Sequence, residues 1–176
     1  AGSKAVFAGG IGMISVPPPA VDIYINSTGT WTGATLSKGR TSLAGAGLNN
    51  KVLFAGGADD WILSIYDKVD IYDVTTSVWT QANLSAPRIK LAAAGAGNKI
   101  LFAGGCDPNN GTSSNVVDLY STTTGGWGVS QPLSVPRFNL CGAGAGNKVV
   151  FAGGTDFGGN FFDNVEIYDA NTNMWT

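Results

Sequence analysis

The sequence predicts an all-β fold of four tandem repeats, each a small antiparallel sheet, within one domain. A Gly-Gly pair returns after 47, 48 and 49 residues, at Gly9-Gly10, Gly56-Gly57, Gly104-Gly105 and Gly153-Gly154. In every repeat a tryptophan follows an acidic residue by nine positions, as in Asp22 and Trp31, Asp70 and Trp79, Asp118 and Trp127, and Glu166 and Trp175. The composition agrees, because 26 glycines and only 12% charged residues favour strands and tight turns over helices. The repeats span about 1–35, 36–83, 84–132 and 133–176.

Four strands are expected in each complete repeat. The first is a run of small residues, as in 91–95, which suits a strand crowded by its neighbours. The second, as in 51–55, is apolar throughout, which is typical of a strand covered on both faces. The Gly-Gly pair then permits positive φ and a close backbone approach. The third strand, as in 69–72, alternates with period two, and a turn leads to a short fourth strand whose tryptophan packs between sheets.

The first repeat departs from this pattern. It has no small-residue strand before its apolar run at 4–8, so the sequence predicts 15 strands, one short of four complete sheets. Gly39 also stands where the other repeats have a proline before the arginine. We therefore expect the chain to be an excerpt of a longer array, or to be completed by further sheets from another subunit.

The ordered landmarks resemble the Kelch family: Gly-Gly, an acid and a tyrosine, a tryptophan, then Pro-Arg and a small-residue strand. The resemblance covers essentially the whole chain. It implies a β-propeller, in which four-stranded blades radiate from a central channel, with a partial first blade. The family also includes copper-dependent galactose oxidases, whose copper site needs histidine, and this chain contains none. We therefore expect no enzymatic activity and no cofactor or metal.

Binding is expected at the loop face, where segments 11–20, 58–68, 106–116 and 155–164 differ completely between repeats. Aromatic side chains in such loops are typical anchors of binding patches or platforms for sugars, and the alternative is that they fold back over a sheet edge. The candidate ligand-binding residues in these loops are Asp59, Asp60, Trp61, Asp107, Asn109, Asn110, Asp156, Phe157 and Phe161.

Three repeated arginines, Arg40, Arg88 and Arg137, complete the candidate site. By resemblance to the family's Pro-Arg positions they line a pocket for acidic peptides, since guanidinium groups match carboxylates geometrically. The alternative is a framework role, in which each arginine binds backbone carbonyls between sheets. The regular spacing is compatible with both interpretations.

The remaining features limit the classes of partner that the chain is expected to bind. A net charge of -2 without a cluster of Lys or Arg argues against nucleic acid, and no apolar run is long enough to insert in a membrane. Asn26, Asn83 and Asn110 begin triplets that could accept glycans, and the low charge favours an extracellular over a cytoplasmic location. The spacing of Cys106 and Cys141 suggests no metal site or redox pair.

These observations favour a non-enzymatic binding or scaffold module that recognises a protein or peptide through its loop face. The alternative is an extracellular propeller that binds carbohydrate or has a structural role, to which Trp61 would contribute a stacking surface.

Overall fold

The computed structural model describes residues 1–10, 18–59 and 64–176, and these residues form strands and turns without a helix. The first sheet is antiparallel with strand order β1-β2-β3. Its strands are β1 (Lys4–Ala8), β2 (Ala20–Ile25) and β3 (Thr30–Thr35). No helix in the described part of the chain could span a membrane.

Three further antiparallel sheets follow, each with four strands. The second sheet, in order β4-β5-β6-β7, contains β4 (Ala44–Leu48), β5 (Lys51–Ala55), β6 (Lys68–Asp73) and β7 (Val78–Asn83). The third, in order β8-β9-β12-β13, contains β8 (Ala92–Ala96), β9 (Lys99–Ala103), β12 (Val117–Ser121) and β13 (Trp127–Val129). The fourth, in order β14-β15-β16-β17, contains β14 (Cys141–Ala145), β15 (Lys148–Ala152), β16 (Val165–Asp169) and β17 (Met174–Trp175).

These four sheets contain the 15 strands predicted from the repeat, and the first sheet has three strands as expected. One element was not predicted. Within the loop between β9 and β12, β10 (Cys106–Asp107) pairs with β11 (Thr112–Ser113) in a separate two-stranded sheet, which we call the small hairpin. Turn residues at 108–111 allow the chain to reverse there.

The second strands of the second and third sheets are covered on both faces, as their apolar runs predict, whereas on β15 only the face with Val149 and Phe151 is buried. Ile100, Leu101 and Phe102 on β9 are all fully buried, although successive side chains of a strand point in opposite directions. Neighbouring sheets supply the two covers. The core is therefore divided into layers between sheets.

Each layer joins an aromatic face of one sheet to an aliphatic face of the preceding sheet. Between the second and third sheets, Phe102 and Tyr120 pack against Leu53 and Val69. Equivalent residues join the first sheet to the second and the third to the fourth. The sheets therefore stack face to face in chain order.

The tryptophan of the fourth strand belongs to these layers. Trp127 packs between the second and third sheets, and its ring centroid lies 5.2 Å from that of Tyr120. Trp175 packs against the third sheet, where its Nε1 donates a hydrogen bond to Ser130 Oγ at 2.9 Å. Trp31 is 61% exposed because no described sheet covers the aromatic face of the first sheet.

The first strands β4, β8 and β14 lie side by side in a row. Their small residues are required by the close approach of the backbones. A Cβ atom at Gly144 on β14 would lie 1.9 Å from the carbonyl oxygen of Gly95 on β8. The predicted positive φ of the Gly-Gly pairs is confirmed, for example 70° at Gly56 and 99° at Gly57.

Candidate functional site

The loops after the second strands and the connectors between sheets meet at one end of the stack, which we call the loop end. Backbone bridges join Thr41 to Ala58, Ile89 to Cys106 and Phe138 to Thr155. The second glycine of the pair extends this network, since Gly57 N donates to Arg88 O at 3.0 Å. The loops of the second and third sheets are therefore each tied to the connector before their sheet and to the connector after it.

An apolar layer supports the loop end from below. Four of the six bridging residues, Ala58, Ile89, Cys106 and Phe138, form a buried cluster, and Ile65 packs against it. Lys90 Nζ lies 5.4 Å from the ring centroid of Phe138. Because this layer is buried and crosses three sheets, it holds the overlying loops in fixed relative positions.

A surface depression of about 530 Å³ lies at the loop end between the third and fourth sheets. Three segments converge on it: the small hairpin, the connector before β14 and the loop between β15 and β16. Its lining combines aromatic and aliphatic side chains with hydroxyl, carboxylate and amide groups. The side chains that line it are those of Thr112, Ser113, Val135, Pro136, Asp156, Phe157, Asn160 and Phe162.

The loop that carries Phe157 is held by its own hydrogen bonds. Asp156 Oδ1 accepts from Asn160 N at 3.0 Å, and its Oδ2 accepts from Asn160 Nδ2 at 2.8 Å. Thr155 Oγ1 donates to Asn160 O at 2.7 Å. The Asn160 hydrogen bonds lower the pKa of Asp156. Phe157 follows Asp156 in this loop, and its ring packs against Phe138 with the two centroids 4.9 Å apart.

The small hairpin is ordered in a similar way by Asp107. Its Oδ1 accepts from Asn109 N at 3.0 Å, and its Oδ2 accepts from Asn110 Nδ2 at 2.9 Å. Asn110 Oδ1 in turn accepts from Thr112 N at 3.1 Å. Asp107, Asn109 and Asn110 therefore shape the turn, and the hairpin contributes Thr112 and Ser113 to the depression.

The three repeated arginines are buried, with 0% exposure for Arg40 and Arg137 and 2% for Arg88. Each forms an ion pair with the acid of its own sheet, namely Arg40 Nη2 with Asp70 Oδ2 at 2.5 Å, Arg88 Nη2 with Asp118 Oδ2 at 2.6 Å and Arg137 Nη2 with Glu166 Oε2 at 2.8 Å. The acid's second oxygen accepts a backbone N–H from the connector, as Asp118 Oδ1 does from Ser85 N at 3.0 Å. Each ion pair fixes the connector to its sheet.

This geometry corrects the expectation that Arg40, Arg88 and Arg137 line an accessible pocket for acidic peptides. Their guanidinium groups are already paired with carboxylates, and Arg88 Nη2 also donates to Phe102 O at 3.2 Å. Burial lowers the pKa of Arg88, and the neighbouring Asp118 opposes that shift. The framework interpretation accounts for all three residues, because each guanidinium group is buried and forms an ion pair within its own sheet.

The structure separates the other candidate residues into groups. Asp156 and Phe157 lie in the depression, whereas Phe161 is 89% exposed beside it rather than folded over a sheet edge. Asp59 lies at the loop end, where its N–H donates to Ser64 O at 3.1 Å. Asp60 and Trp61 lie outside the described residues. The proposed glycan acceptors Asn26, Asn83 and Asn110 are all exposed.

The sequence interpretation missed the part of the depression contributed by the connector and the hairpin. The Pro-Arg landmark assigns Pro136 to the framework, and the sequence pattern singles out none of Val135, Thr112 and Ser113. A signal was present for Val135, because the residue at this position differs in every connector: Lys38, Ala86 and Val135. In the described residues, no group of three or more Cys, Asp and Glu side chains could hold a metal ion.

We expect one thiol per native chain to react rapidly with a disulfide reagent such as DTNB at neutral pH. Cys141 is exposed on β14, whereas Cys106 lies under the loop end and burial raises its pKa to about 11. The reactive thiolate of Cys106 is therefore scarce at neutral pH. Absorbance should count one thiol in native protein and two in urea. Cys141→Ser should remove the absorbance signal of the native protein, and Cys106→Ser should not. Rapid reaction of two thiols in the native protein would contradict the burial of Cys106.

No protein-family model matches the chain, and no curated protein matches it. Among solved structures, that of a protein named YjhT superposes with a TM-score of 0.72 at 22% sequence identity. The match covers 90% of this chain and 51% of that chain, so this chain spans about half the length of that structure. In all, 290 solved chains match. At this identity the likeness to YjhT concerns the fold alone.

Proposed function

We propose that the chain forms part of a Kelch-type β-propeller and is a non-enzymatic module that binds a protein or peptide segment in the depression at the loop end. The propeller is supported by the stacking of sheets in chain order and by the row of first strands. Backbones that approach as closely as those of Gly95 and Gly144 are expected where sheets converge on a common axis.

The convergence of three preformed segments on one depression carries the functional proposal. Its volume of about 530 Å³ is in the range of ligand sites and would hold a few side chains of an extended segment. Phe157, Phe162, Val135 and Pro136 supply apolar contact area, and Phe157 is held before any ligand arrives. Rigid aromatic anchors reduce the entropy that binding costs.

The polar groups of the depression favour a polypeptide over a carbohydrate. A sugar needs several free hydrogen-bonding groups around a stacking ring, and Asp156, the carboxylate of the depression, has fewer free acceptor sites because each of its oxygens already accepts a hydrogen bond from Asn160. The carbohydrate alternative also relied on Trp61, which lies outside the described residues. The experiment therefore also tests the two alternatives, a carbohydrate ligand and a structural role.

The test begins with selection of peptides from a random phage-displayed library on the immobilised 176-residue chain, with a glycan array in parallel. Selected peptides are then titrated by fluorescence anisotropy. We expect Phe157→Ala to weaken binding at least about tenfold, because truncation of a central aromatic anchor removes a hot spot. Val129→Ala, at an exposed position on β13, should leave the affinity unchanged.

Thermal unfolding of both variants controls for stability, since Phe157 is half-exposed and its truncation should not unfold the chain. Glycan binding without peptide binding would replace the proposed ligand class. Peptides that bind Phe157→Ala and Phe162→Ala as tightly as the unaltered chain would show that the depression is not the site. Failure of both screens would count against a binding function for the loop end.

A further inference from the structure

The two loops that flank the depression carry acidic side chains and no basic ones. Segment 106–116, which includes the small hairpin, contains Asp107, and segment 155–164 contains Asp156 and Asp163. Neither segment contains a lysine or an arginine. The connector before β14 contributes one cation, Arg137, and its charge is neutralised by the ion pair with Glu166. The charge around the depression is therefore negative, which favours a cationic ligand.

Asp156 is the carboxylate that lines the depression. It accepts hydrogen bonds from Asn160 N, from Asn160 Nδ2 and from Gly158 N, and these bonds lower its pKa, so the group is ionised at neutral pH. Among the described residues no lysine or arginine forms an ion pair with it. A carboxylate can accept about four hydrogen bonds, so a donor from a ligand can still bind.

The hydroxyl of Thr112 adds a second acceptor to the lining. Its hydrogen is donated to Asn110 Oδ1, so a ligand in the depression meets the lone pairs of the hydroxyl oxygen. An arginine side chain carries only N–H donors and no acceptor. The polar groups of Asp156 and Thr112 therefore match a guanidinium group.

The ring of Phe157 provides a surface on which a cation can stack. It packs against Phe138 on one side and yet remains 47% exposed. Cations already lie over aromatic rings at the loop end, since Lys90 Nζ is 5.4 Å from the centroid of Phe138 and Lys38 Nζ is 5.1 Å from that of Tyr66. A planar guanidinium can stack on such a ring and donate to a carboxylate at the same time.

We infer that the depression selects its polypeptide through an arginine side chain, which stacks on Phe157 and donates to the Asp156 carboxylate while an apolar neighbour contacts Val135 and Pro136. The inference rests on the proposed function, because it names the side chain by which that same site recognises a polypeptide. The preference is opposite in charge to the acidic peptides that the family resemblance implies. The arginine supplies specificity, and the apolar contacts supply buried area.

The probes are three capped tripeptides, Leu-Arg-Leu, Leu-citrulline-Leu and Leu-Glu-Leu. Each is titrated against the 176-residue chain, and binding is followed by the NMR shifts of the backbone amides of residues 156–160. Citrulline keeps the shape of arginine and removes its charge. We expect the arginine peptide to bind at least about tenfold more tightly than the citrulline peptide, because the cation–π contact and the charge-assisted hydrogen bond both require the charge. Added salt should weaken the arginine peptide selectively.

The ratio of the two affinities, arginine over citrulline, separates recognition from damage to the loop. Asp156→Asn should bring this ratio close to one, whereas mere disorder of the loop would weaken both peptides equally. Phe157→Leu keeps an apolar side chain but removes the ring face, so the ratio should fall severalfold. Asp163→Asn is the matched control, because it removes an exposed acid of the same loop that does not line the depression, and the ratio should be unchanged.

Several results would overturn the arginine inference: equal binding of the arginine and citrulline peptides, tightest binding of the glutamate peptide, an unchanged ratio in Asp156→Asn, or no shift at millimolar peptide. The random-library selection tests the proposed function separately. Selected peptides that lose affinity for Phe157→Ala but lack arginine would overturn the inference and leave the proposed function standing. If the selection yields no peptide, the proposed function fails, and the tripeptide titrations still decide whether the depression prefers arginine.

Discussion

Replacement of Arg88 by methionine is expected to lower the free energy of unfolding by about 3 to 5 kcal/mol, as for the loss of one partner of a buried ion pair. Arg88 and Asp118 are both almost completely buried, and Nη2 of Arg88 lies 2.6 Å from Oδ2 of Asp118. Without the guanidinium, the Asp118 carboxylate keeps only the N–H of Ser85 among the partners named above. Its charge would then be buried without compensation.

The double variant Arg88→Met/Asp118→Leu should recover most of this loss. Nε and Nη1 of Arg88 are buried without a hydrogen-bond partner, so the pair itself carries a desolvation cost that the double variant removes. Lys148→Met is the matched control, because the Lys148–Asp169 pair is accessible to solvent and should contribute little to the free energy of unfolding. Urea unfolding measures the free energy of unfolding of all three variants. Equal losses for Arg88→Met and Lys148→Met would contradict a framework role for the arginine.

The sheets could be predicted because each structural requirement recurs at the same position of every repeat. Ile100, Leu101 and Phe102 form a continuous apolar run because both faces of β9 are covered, and the same run appears three more times. The Gly-Gly pairs recur because the backbone must adopt positive φ after the second strand. A structural requirement that recurs in every repeat can therefore be recognised from a single sequence.

The candidate site could be predicted only in part, because its residues do not recur from one repeat to the next. The divergence of the loops located the loop end and Phe157, but no pattern showed that Val135 and Pro136 face the same depression. That contact depends on how the connector crosses the neighbouring loop. The small hairpin was not predicted because two-residue strands are too short to show a periodicity.

The role of the arginines depended on geometry that the sequence left open. An acid follows each arginine by 30, 30 and 29 residues, in Arg40 and Asp70, Arg88 and Asp118, and Arg137 and Glu166. This nearly constant separation could have indicated an ion pair within one sheet. The spacing alone does not reveal burial, which arises because the connector lies beneath the loops of the neighbouring sheet.

The substitution Gly144→Ala is expected to lower the free energy of unfolding by about 3 kcal/mol, at the upper end of the usual cost of overpacking. The added Cβ would lie 1.9 Å from the carbonyl oxygen of Gly95, and this obstacle is backbone rather than a flexible side chain. Relief therefore requires the third and fourth sheets to separate along β8 and β14, which also loosens the layer around Phe151.

Gly128→Ala on β13 is the matched control, because a Cβ there meets no atom within 4 Å and the backbone has no positive φ. In thermal and urea unfolding, the Gly128→Ala control should be nearly as stable as the unaltered chain, and Gly144→Ala should be much less stable. Gly144 lies in a strand that solvent reaches, so loss of stability there cannot come from filling a closed core. Equal stability of the two variants would mean that β8 and β14 do not approach as closely as the row of first strands requires.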